Sequence, residues 1–271
     1  MKTAQRQHDN TAAWQGVWIA IPAYQEAATI RALAQAALAQ SPNVIVVDDG
    51  STDGTAQQLD GLPVTLLVHA HNRGKEASLR TAFAHALAQD AACVIAMDGD
   101  GQHDPADAPL LLAAWRRNPR RIVIGSRLHD RSQFPVARWR ANRFACFWIS
   151  WAAGHPIADS QSGFRYYPAA VFNSLDLRHD RWASFVFESE VLIAAARTGL
   201  EIVFVPISVR YADPARASHL HPLYDIGKIA AMIFKRLLRI RFDPRDLAHG
   251  LGANQSRRPP ADPIARHSRK P

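Results

Sequence analysis

Cysteine is scarce in this sequence. The 271 residues include only Cys93, in a short apolar run, and Cys146, in a longer apolar and aromatic segment. Two isolated thiols exclude the disulfide framework that staples small secreted domains. This cysteine usage is typical of a protein from a reducing compartment.

Long apolar runs are also absent. No uninterrupted stretch of about 18 apolar residues occurs, so no transmembrane helix is predicted. The first residues lack the apolar core of a signal peptide. The chain still has 48% hydrophobic residues, which is enough for one large domain with a buried core. We therefore expect a cytoplasmic protein.

Acidic residues are outnumbered by basic ones. The sequence has 24 Asp and Glu against 32 Lys and Arg, a formal net charge of +8 and a pI near 10.0. Such a balance calls for an anionic partner, which is a nucleic acid, a membrane surface or a phosphorylated substrate. No nucleic-acid-binding motif is present, so we expect no nucleic acid partner.

Short apolar runs alternate with Ala- and Leu-rich segments. The pattern predicts strands at residues 17–21, 44–47, 64–69, 93–97, 122–124 and 201–209, and helices at 27–40, 75–89, 105–115 and 187–197. Pro22 is expected to end the first strand. This alternation is typical of an α/β fold, with helices on both faces of a mostly parallel sheet.

The most informative stretch is Asp-Gly-Asp-Gly-Gln-His at residues 98–103, directly after a buried strand. In extended geometry the carboxylates of Asp98 and Asp100 lie on one face, at the sheet edge where open α/β sheets bind ligands. Two crowded carboxylates repel unless a cation neutralises them. Together with Gln102, they suit Mg²⁺ or Mn²⁺ carrying a diphosphate. The alternative is an ordinary polar turn.

Two further polar stretches follow predicted strands. Asp48 and Asp49 open one of them, where helix capping explains several of the neighbouring residues equally well. Asn-Arg-Gly-Lys at residues 72–75 begins a helix, which is an arrangement suited to phosphate but is not a P-loop.

Two segments have the composition of membrane-interfacial helices. Residues 144–153 are apolar and aromatic, which fits either a core helix or one at a membrane interface. Residues 226–242 form a basic amphipathic helix, either packed with a solvated basic face or lying on an anionic leaflet. Residues 1–16 and 243–271 are expected to be a flexible tail and a disordered basic tail.

Six motifs, each weak alone, occur in an order and spacing that resemble family 2 glycosyltransferases. The most similar branch is the dolichol-phosphate mannosyltransferase and polyprenyl-phosphate sugar transferase group. The motifs are residues 22–26, 48–51, 72–75, 98–103, 125–127 and 162–165. The resemblance spans residues 17–210 and implies a GT-A fold, a nucleotide-diphospho-sugar transferase fold, for a domain at 17–225.

The resemblance also implies roles for individual residues. The donor-binding set is Pro22, Ala23, Tyr24, Glu26, Asp49, Lys75 and Asp98, with Asp49 on the base or ribose. Asp100 and Gln102 are implied to hold the metal. The acceptor or phosphate set is Arg127, Arg165, Glu190, Arg210 and Arg216. The residues expected to take part in catalysis are Asp98, Asp100, Arg127, Asp159 and Arg165.

The sequence departs from the family pattern at three places. Gln25 stands where Asn is usual, and Glu76 stands where Gly commonly follows Gly-Lys, which leaves the donor open. The segment at residues 216–222 differs from the usual dolichol-type ending, which leaves the acceptor open. The transmembrane pair of some members is missing.

The implied function is metal-dependent, inverting sugar transfer from a nucleotide-sugar to a polyprenyl phosphate, by a peripheral protein on the cytoplasmic face of the cell membrane. A lipid phosphate is already nucleophilic, whereas a hydroxyl acceptor requires a base, for which Asp159 is the candidate. One alternative is transfer to a different lipid or pigment-type hydroxyl acceptor. Another is a non-catalytic nucleotide-sugar or anion-binding protein. The sequence leaves the oligomeric state open.

Overall fold

The computed structural model describes residues 14–127, 136–175, 187–208 and 222–252. The strands are β1 (Val17–Ala23), β2 (Val44–Asp48), β3 (Thr65–Val68), β4 (Cys93–Ala96), β5 (Arg121–Ser126), β6 (Arg165–Pro168) and β7 (Glu201–Pro206). The helices are α1 (Ile30–Leu38), α2 (Lys75–Ala88), α3 (Ala108–Arg116), α4 (Val136–Ala153), α5 (Ala169–Leu175), α6 (Phe187–Arg197), α7 (Pro222–Arg239) and α8 (Pro244–Gly250). Short 3₁₀ helices span Ala56–Leu59 and Pro105–Asp107.

The strands form one seven-stranded sheet in the order β3-β2-β1-β4-β6-β5-β7. All neighbours pair in parallel except β6, which runs antiparallel to β4 and β5. The expected α/β architecture with a mostly parallel sheet is confirmed. The carboxyl ends of β1, β2 and β4 lie at one edge of the sheet, and the predicted motifs follow them there.

The core has two layers because successive strand side chains point to opposite faces of the sheet. On one face, Ala20 and Val94 pack with Leu79 and Phe83 of α2. On the other, Ile19 packs with residues of α1 and α3. The helices therefore cover both faces, as the alternating pattern predicts.

The first strand was expected to end at Pro22, but β1 continues to Ala23. The β4 ladder reaches β1 only as far as Ala20, which pairs with Ala96. Pro22 lies beyond that ladder, so its missing N–H interrupts no hydrogen bond to β4.

Helix α1 begins at Ile30, later than predicted, after a turn that polar contacts hold in place. The backbone N–H of Ala27 donates to Asp53 Oδ2 at 3.0 Å, and that of Ile30 donates to the carbonyl of Glu26 at 2.9 Å. Strand β6 was not predicted, because its four residues carry no alternation of apolar and polar side chains and include a buried arginine, Arg165.

The expectation of a disordered tail from residue 243 onward is wrong for its first residues. Asp243 caps α8 by accepting from the N–H of Arg245 at 2.8 Å. Trp151 Nε1 of α4 donates to the carbonyl of Asp243 at 3.1 Å, and Asp246 forms a 2.8 Å ion pair with Arg197. These contacts fix α8 against the domain.

No helix in the described part of the chain combines the length and apolar character needed to cross a bilayer.

Candidate active site

The loop after β1 is fixed by polar contacts to the loop after β2. Pro22 and Ala23 are buried at the end of the strand, whereas Tyr24 and Glu26 are half-buried. Gln25 adopts a φ of 57°. Its Oε1 accepts from the N–H of Thr52 at 2.9 Å, and its Nε2 donates to the Thr52 hydroxyl at 3.1 Å. The residue that departs from the family pattern therefore braces these two loops.

Asp49 is buried and makes its contacts inside the protein. Its carboxylate accepts from the N–H groups of Arg73 at 3.0 Å and Gly74 at 2.8 Å. His69 Nδ1 lies 2.6 Å from Asp49 Oδ1, and His69 Nε2 lies 2.9 Å from the hydroxyl of Thr81. Asp49 thus fixes the loop that leads into α2, and its expected contact with a base or ribose remains a prediction.

Two side chains, those of Lys75 and His103, lie against Asp98. Lys75 Nζ lies 2.5 Å from Asp98 Oδ1, and His103 Nε2 lies 3.7 Å from Oδ2. A Cβ atom added at Gly163 would overlap the Asp98 carboxylate. Any side chain at position 163 would therefore have to displace the Asp98 carboxylate.

Charge pairing determines the protonation of Lys75 and Asp98. Burial alone would raise the pKa of Asp98, but the Lys75 ammonium and the neighbouring His103 outweigh it, so this pKa lies below its usual range. Burial alone would lower the pKa of Lys75, but Asp98 and Glu188 outweigh it, so this pKa is raised. Both groups are therefore ionised at neutral pH.

Asp100 and Gln102 offer oxygen ligands in the loop after β4. Both side chains are half-buried, and Asp100 Oδ1 also accepts from the N–H of Gln102 at 3.0 Å. No cluster of three or more His, Cys, Asp or Glu ligands occurs among the residues described. Mg²⁺ is commonly held by one or two protein ligands together with water and substrate phosphates. The residues present fit such a site.

Asp159, the expected base, is fully buried. Its Oδ2 accepts from the N–H of Arg127 at 3.2 Å, and its Oδ1 accepts from Asn142 Nδ2 at 3.2 Å and from the N–H of Gln161 at 3.1 Å. A carboxylate so enclosed fixes the end of β5 and has no open approach to an acceptor hydroxyl. Arg127 is half-buried, and its Nη2 donates to the carbonyl of Gln161 at 3.3 Å.

Arg165 is also fully buried, which the resemblance did not imply. Its guanidinium donates to the carbonyls of Ser162 at 2.6 Å, Ser160 at 2.8 Å and Glu188 at 2.8 Å. These backbone contacts place the first turn of α6 beside β6. Arg165 is therefore part of the scaffold beneath the site.

The two acids of α6 have different surroundings. Glu188 Oε2 lies 3.2 Å from Lys75 Nζ, whereas Glu190 Oε1 lies 3.7 Å from Arg236 of α7. The resemblance implied a role for Glu190 but not for Glu188, and it included His103 and Gly163 in two motifs without giving them roles of their own. For Glu188 the signal was the Glu-Ser-Glu sequence, which does not say which acid faces the site. Arg210 and Arg216 lie outside the described residues.

Comparison with solved structures supports the fold. Glucosyl-3-phosphoglycerate synthase from Mycobacterium tuberculosis, in complex with UDP, aligns with a TM-score of 0.61 and 20% identity. The alignment covers 86% of this chain and 83% of that one.

Sequence relatives carry the assignment further. A UDP-N-acetylglucosamine–dolichyl-phosphate N-acetylglucosaminyltransferase from Methanococcus voltae is 27% identical over 83% of this chain and 96% of its own. An undecaprenyl-phosphate mannosyltransferase from Micrococcus luteus is 30% identical over 61% of this chain and 71% of its own. The family model for glycosyl transferase family 2 matches residues 18–175. This chain belongs to glycosyl transferase family 2.

Proposed function

We propose that this glycosyltransferase moves a sugar from a nucleotide-sugar donor to a polyprenyl phosphate at a membrane surface. The relatives named for dolichyl-phosphate and undecaprenyl-phosphate transfer support this acceptor class. An oxygen of the lipid phosphate forms a bond to C1 of the sugar while the bond from C1 to the diphosphate breaks. Attack opposite the leaving nucleoside diphosphate inverts the anomeric carbon.

The residues of the candidate site have distinct tasks in this proposal. Asp100 and Gln102 would hold Mg²⁺ or Mn²⁺, which stabilises the negative charge of the departing diphosphate when bound. Solved fold neighbours were crystallised with Mg²⁺ or Mn²⁺ and UDP. Lys75 and Arg127 add positive charge on the protein side. Tyr24 and Glu26 are proposed to line the nucleotide pocket.

The enclosed position of Asp159 favours a phosphate acceptor over a hydroxyl acceptor. A phosphate oxyanion attacks without a general base, whereas a hydroxyl needs one within hydrogen-bond reach. Asp159 is fully buried, and both of its oxygens accept hydrogen bonds from the protein. Asp159, the expected base for a hydroxyl acceptor, is therefore already hydrogen-bonded to other parts of the protein.

An exposed aromatic surface gives the proposal a place for the lipid. We call it the aromatic face, and it consists of Phe144, Phe147, Trp148, Trp151, Phe234 and Phe242. Neighbouring rings lie 5.2–6.4 Å apart from Phe144 through Trp151 on α4 and on to Phe242 and Phe234. Phe144 is 67% exposed and Phe234 is 56% exposed. Exposed aromatic clusters of this kind suit the bilayer interface.

Exposed basic side chains occur on or next to the helices that carry the aromatic face. Lys235, Arg239 and Arg241 are exposed on or just after α7, and Arg143 is exposed on α4. The apolar side of α7 is partly packed, with Met232, Ile233 and Leu237 buried, while Leu238 is 52% exposed. Helix α7 thus combines a packed stripe with an exposed basic and apolar one, as a helix on an anionic leaflet requires.

One ion pair supports the proposal because it joins α7 to the helix that also holds Glu188. Arg236 of α7 lies 3.7 Å from Glu190 in the first turn of α6. The same turn holds Glu188, which contacts Lys75 beside Asp98. Helix α7 and the proposed donor site therefore lie on opposite sides of the first turn of α6, which supports the proposal that an acceptor anchored in a bilayer beside α7 would meet the sugar near this turn.

A donor panel tests this function. The full chain is incubated with UDP- and GDP-sugars, undecaprenyl phosphate and Mn²⁺ or Mg²⁺, and sugar-linked lipid is measured by mass spectrometry. We expect product with at least one donor, its loss with EDTA, and its loss in Asp100→Asn with thermal stability retained. The Glu201→Gln variant is a control, because Glu201 pairs with Arg121 at the opposite edge of the sheet. Lack of lipid product with every donor would contradict the proposal.

A further inference from the structure

We infer that Glu188 is a positioning residue for sugar transfer, and that it acts by holding the ammonium group of Lys75 against Asp98. The inference deepens the proposed function, on which it rests for the donor site, but it does not depend on the identity of the acceptor. It is carried by four ionisable side chains that converge from four segments. They are Lys75 of α2, Asp98 after β4, Arg165 of β6 and Glu188 of α6.

Lys75 is the mobile member of this cluster. Its side chain is 32% exposed, and its ammonium group lies at the end of a flexible four-carbon chain. Nζ lies 2.5 Å from Asp98 Oδ1 and 3.2 Å from Glu188 Oε2, so two carboxylates define its position. With one of them removed, the ammonium group would be free to turn about the other.

Glu188 is suited to hold Lys75 because its own position is fixed. Arg165 is fully buried and donates to the Glu188 carbonyl at 2.8 Å, and its Nε lies 3.8 Å from Glu188 Oε1. Oε1 is buried and accepts no hydrogen bond from the described part of the chain. The other oxygen, Oε2, is the one that lies beside Lys75 Nζ. Arg165 thus fixes Glu188, Glu188 positions the Lys75 ammonium, and that ammonium contacts Asp98.

The neighbouring acid on the same helix does not share this position. Two residues along an α-helix differ in direction by about 200°, so Glu190 points to α7 while Glu188 points to Lys75. Glu190 meets Arg236 at 3.7 Å. The geometry thus separates a site carboxylate from an interhelical one.

Removing the Glu188 carboxylate should have two opposite effects. The site gains one positive charge, so a nucleoside diphosphate is held at least as tightly as before. Lys75 and Asp98 lose their fixed arrangement, and a displacement of about 1 Å in such groups costs roughly 100-fold in rate. A residue that only supported the fold would instead lower affinity and turnover together.

The first test measures both quantities in the full chain. Glu188→Gln is expected to lower kcat about 10- to 100-fold, while the Kd of UDP or GDP with Mn²⁺, measured by calorimetry, stays equal or falls. Glu201→Gln, which also removes one carboxylate from an ion pair, should change neither. Unchanged kcat in Glu188→Gln, or a parallel loss of kcat and nucleotide affinity, would overturn the inference.

A double-mutant cycle shows whether Glu188 acts through Lys75. In a Lys75→Met background, the added Glu188→Gln change should lower kcat less than about 2-fold. Multiplicative losses from the two changes would overturn the inference. Glu188→Asp, which keeps the charge on a shorter side chain, should recover part of the rate. It also serves as the test variant if Glu188→Gln does not fold.

The readout separates this inference from the acceptor proposal. Release of nucleoside diphosphate is measured both with undecaprenyl phosphate and with water as the only acceptor. If no lipid product forms but donor hydrolysis falls in Glu188→Gln, the acceptor proposal fails and the role of Glu188 stands. If lipid product forms at the wild-type rate in Glu188→Gln, only the role of Glu188 fails.

Discussion

At the scale of single residues, the position of the Asp98 carboxylate depends on the free space at Gly163 as well as on its ion pair with Lys75. A methyl group at position 163 would overlap that carboxylate. We predict that Gly163→Ala displaces Asp98 from Lys75 and lowers kcat about 10- to 100-fold, as misplaced catalytic groups do. The measurement is the rate of nucleoside diphosphate release.

The matched control for this substitution is Gly61→Ala. Gly61 has a φ of 77° and no atom within 4 Å of an added Cβ. Alanine there should cost about 1 kcal/mol of folding free energy because of its left-handed backbone, with kcat unchanged. Equal kcat in Gly163→Ala and wild type would show that Asp98 tolerates displacement.

Glu190 gives a pH-dependent prediction. Burial raises its pKa above the usual 4.5, although Arg236 and Arg239 partly offset the effect. The folded chain thus holds this proton to higher pH than the unfolded chain does. The contribution to stability therefore falls as pH rises from about 4.5 through the folded-state pKa. In urea unfolding, the stability of wild type relative to Glu190→Gln should decrease over this range, and a difference that is constant or grows with pH would contradict it.

At the scale of elements, the docking of α8 on α4 depends on one glycine. A Cβ atom added at Gly250 would lie 2.6 Å from the carbonyl oxygen of Ser150. We predict that Gly250→Val destabilises the protein by about 1–3 kcal/mol, the usual cost of overpacking. Urea unfolding measures the effect. Ala248→Val, at an exposed position of the same helix, is the control, and an equal loss in both variants would contradict close docking.

The elements themselves were largely predictable from sequence. The buried parallel strands are short apolar runs, and each is followed by a turn that changes the period of the pattern. Strand β6 could not be predicted from its sequence. It lies between β4 and β5, and it begins with Arg165, a charged residue that is buried. Helix α8 escaped because its docking depends on contacts to α4 and α6, which a Pro- and Arg-rich sequence does not reveal.

The motifs selected the residues of the candidate site, but they did not distinguish residues that would face a ligand from residues that hold the scaffold. Asp159 accepts hydrogen bonds from the side chain of Asn142, 17 residues away, and from the backbone N–H of Arg127, 32 residues away. A carboxylate that binds distant protein N–H groups has the same one-letter sequence as one that faces a substrate. For the same reason, Glu188 was indistinguishable from Glu190 until the helix direction was known.

At the scale of the whole molecule, the aromatic face and its basic surroundings predict membrane binding. Replacing Lys235, Arg239 and Arg241 with Gln removes three charges, each worth about 1 kcal/mol near an anionic surface. We predict that this triple variant binds phosphatidylserine-containing vesicles about 100-fold more weakly. Arg236 is kept because it pairs with Glu190. Vesicle sedimentation at low and high salt measures the effect.

The control for vesicle binding removes the same charge elsewhere. Arg116, Arg117 and Arg120 are exposed near the start of β5, at the opposite sheet edge from the site. Their replacement with Gln should weaken binding far less. Equal weakening by both triple variants would indicate that net charge alone, and not the surface around α7, determines membrane binding.

The most direct test of the central claim is a competition between two acceptors in the same vesicles. Undecaprenyl phosphate and undecaprenol are supplied in equal amounts with the donor selected by the panel, and the lipid products are resolved by mass spectrometry. We predict sugar on the phosphate lipid alone, because its oxyanion needs no base and Asp159 is enclosed. Sugar on undecaprenol, with or without sugar on undecaprenyl phosphate, would contradict this prediction.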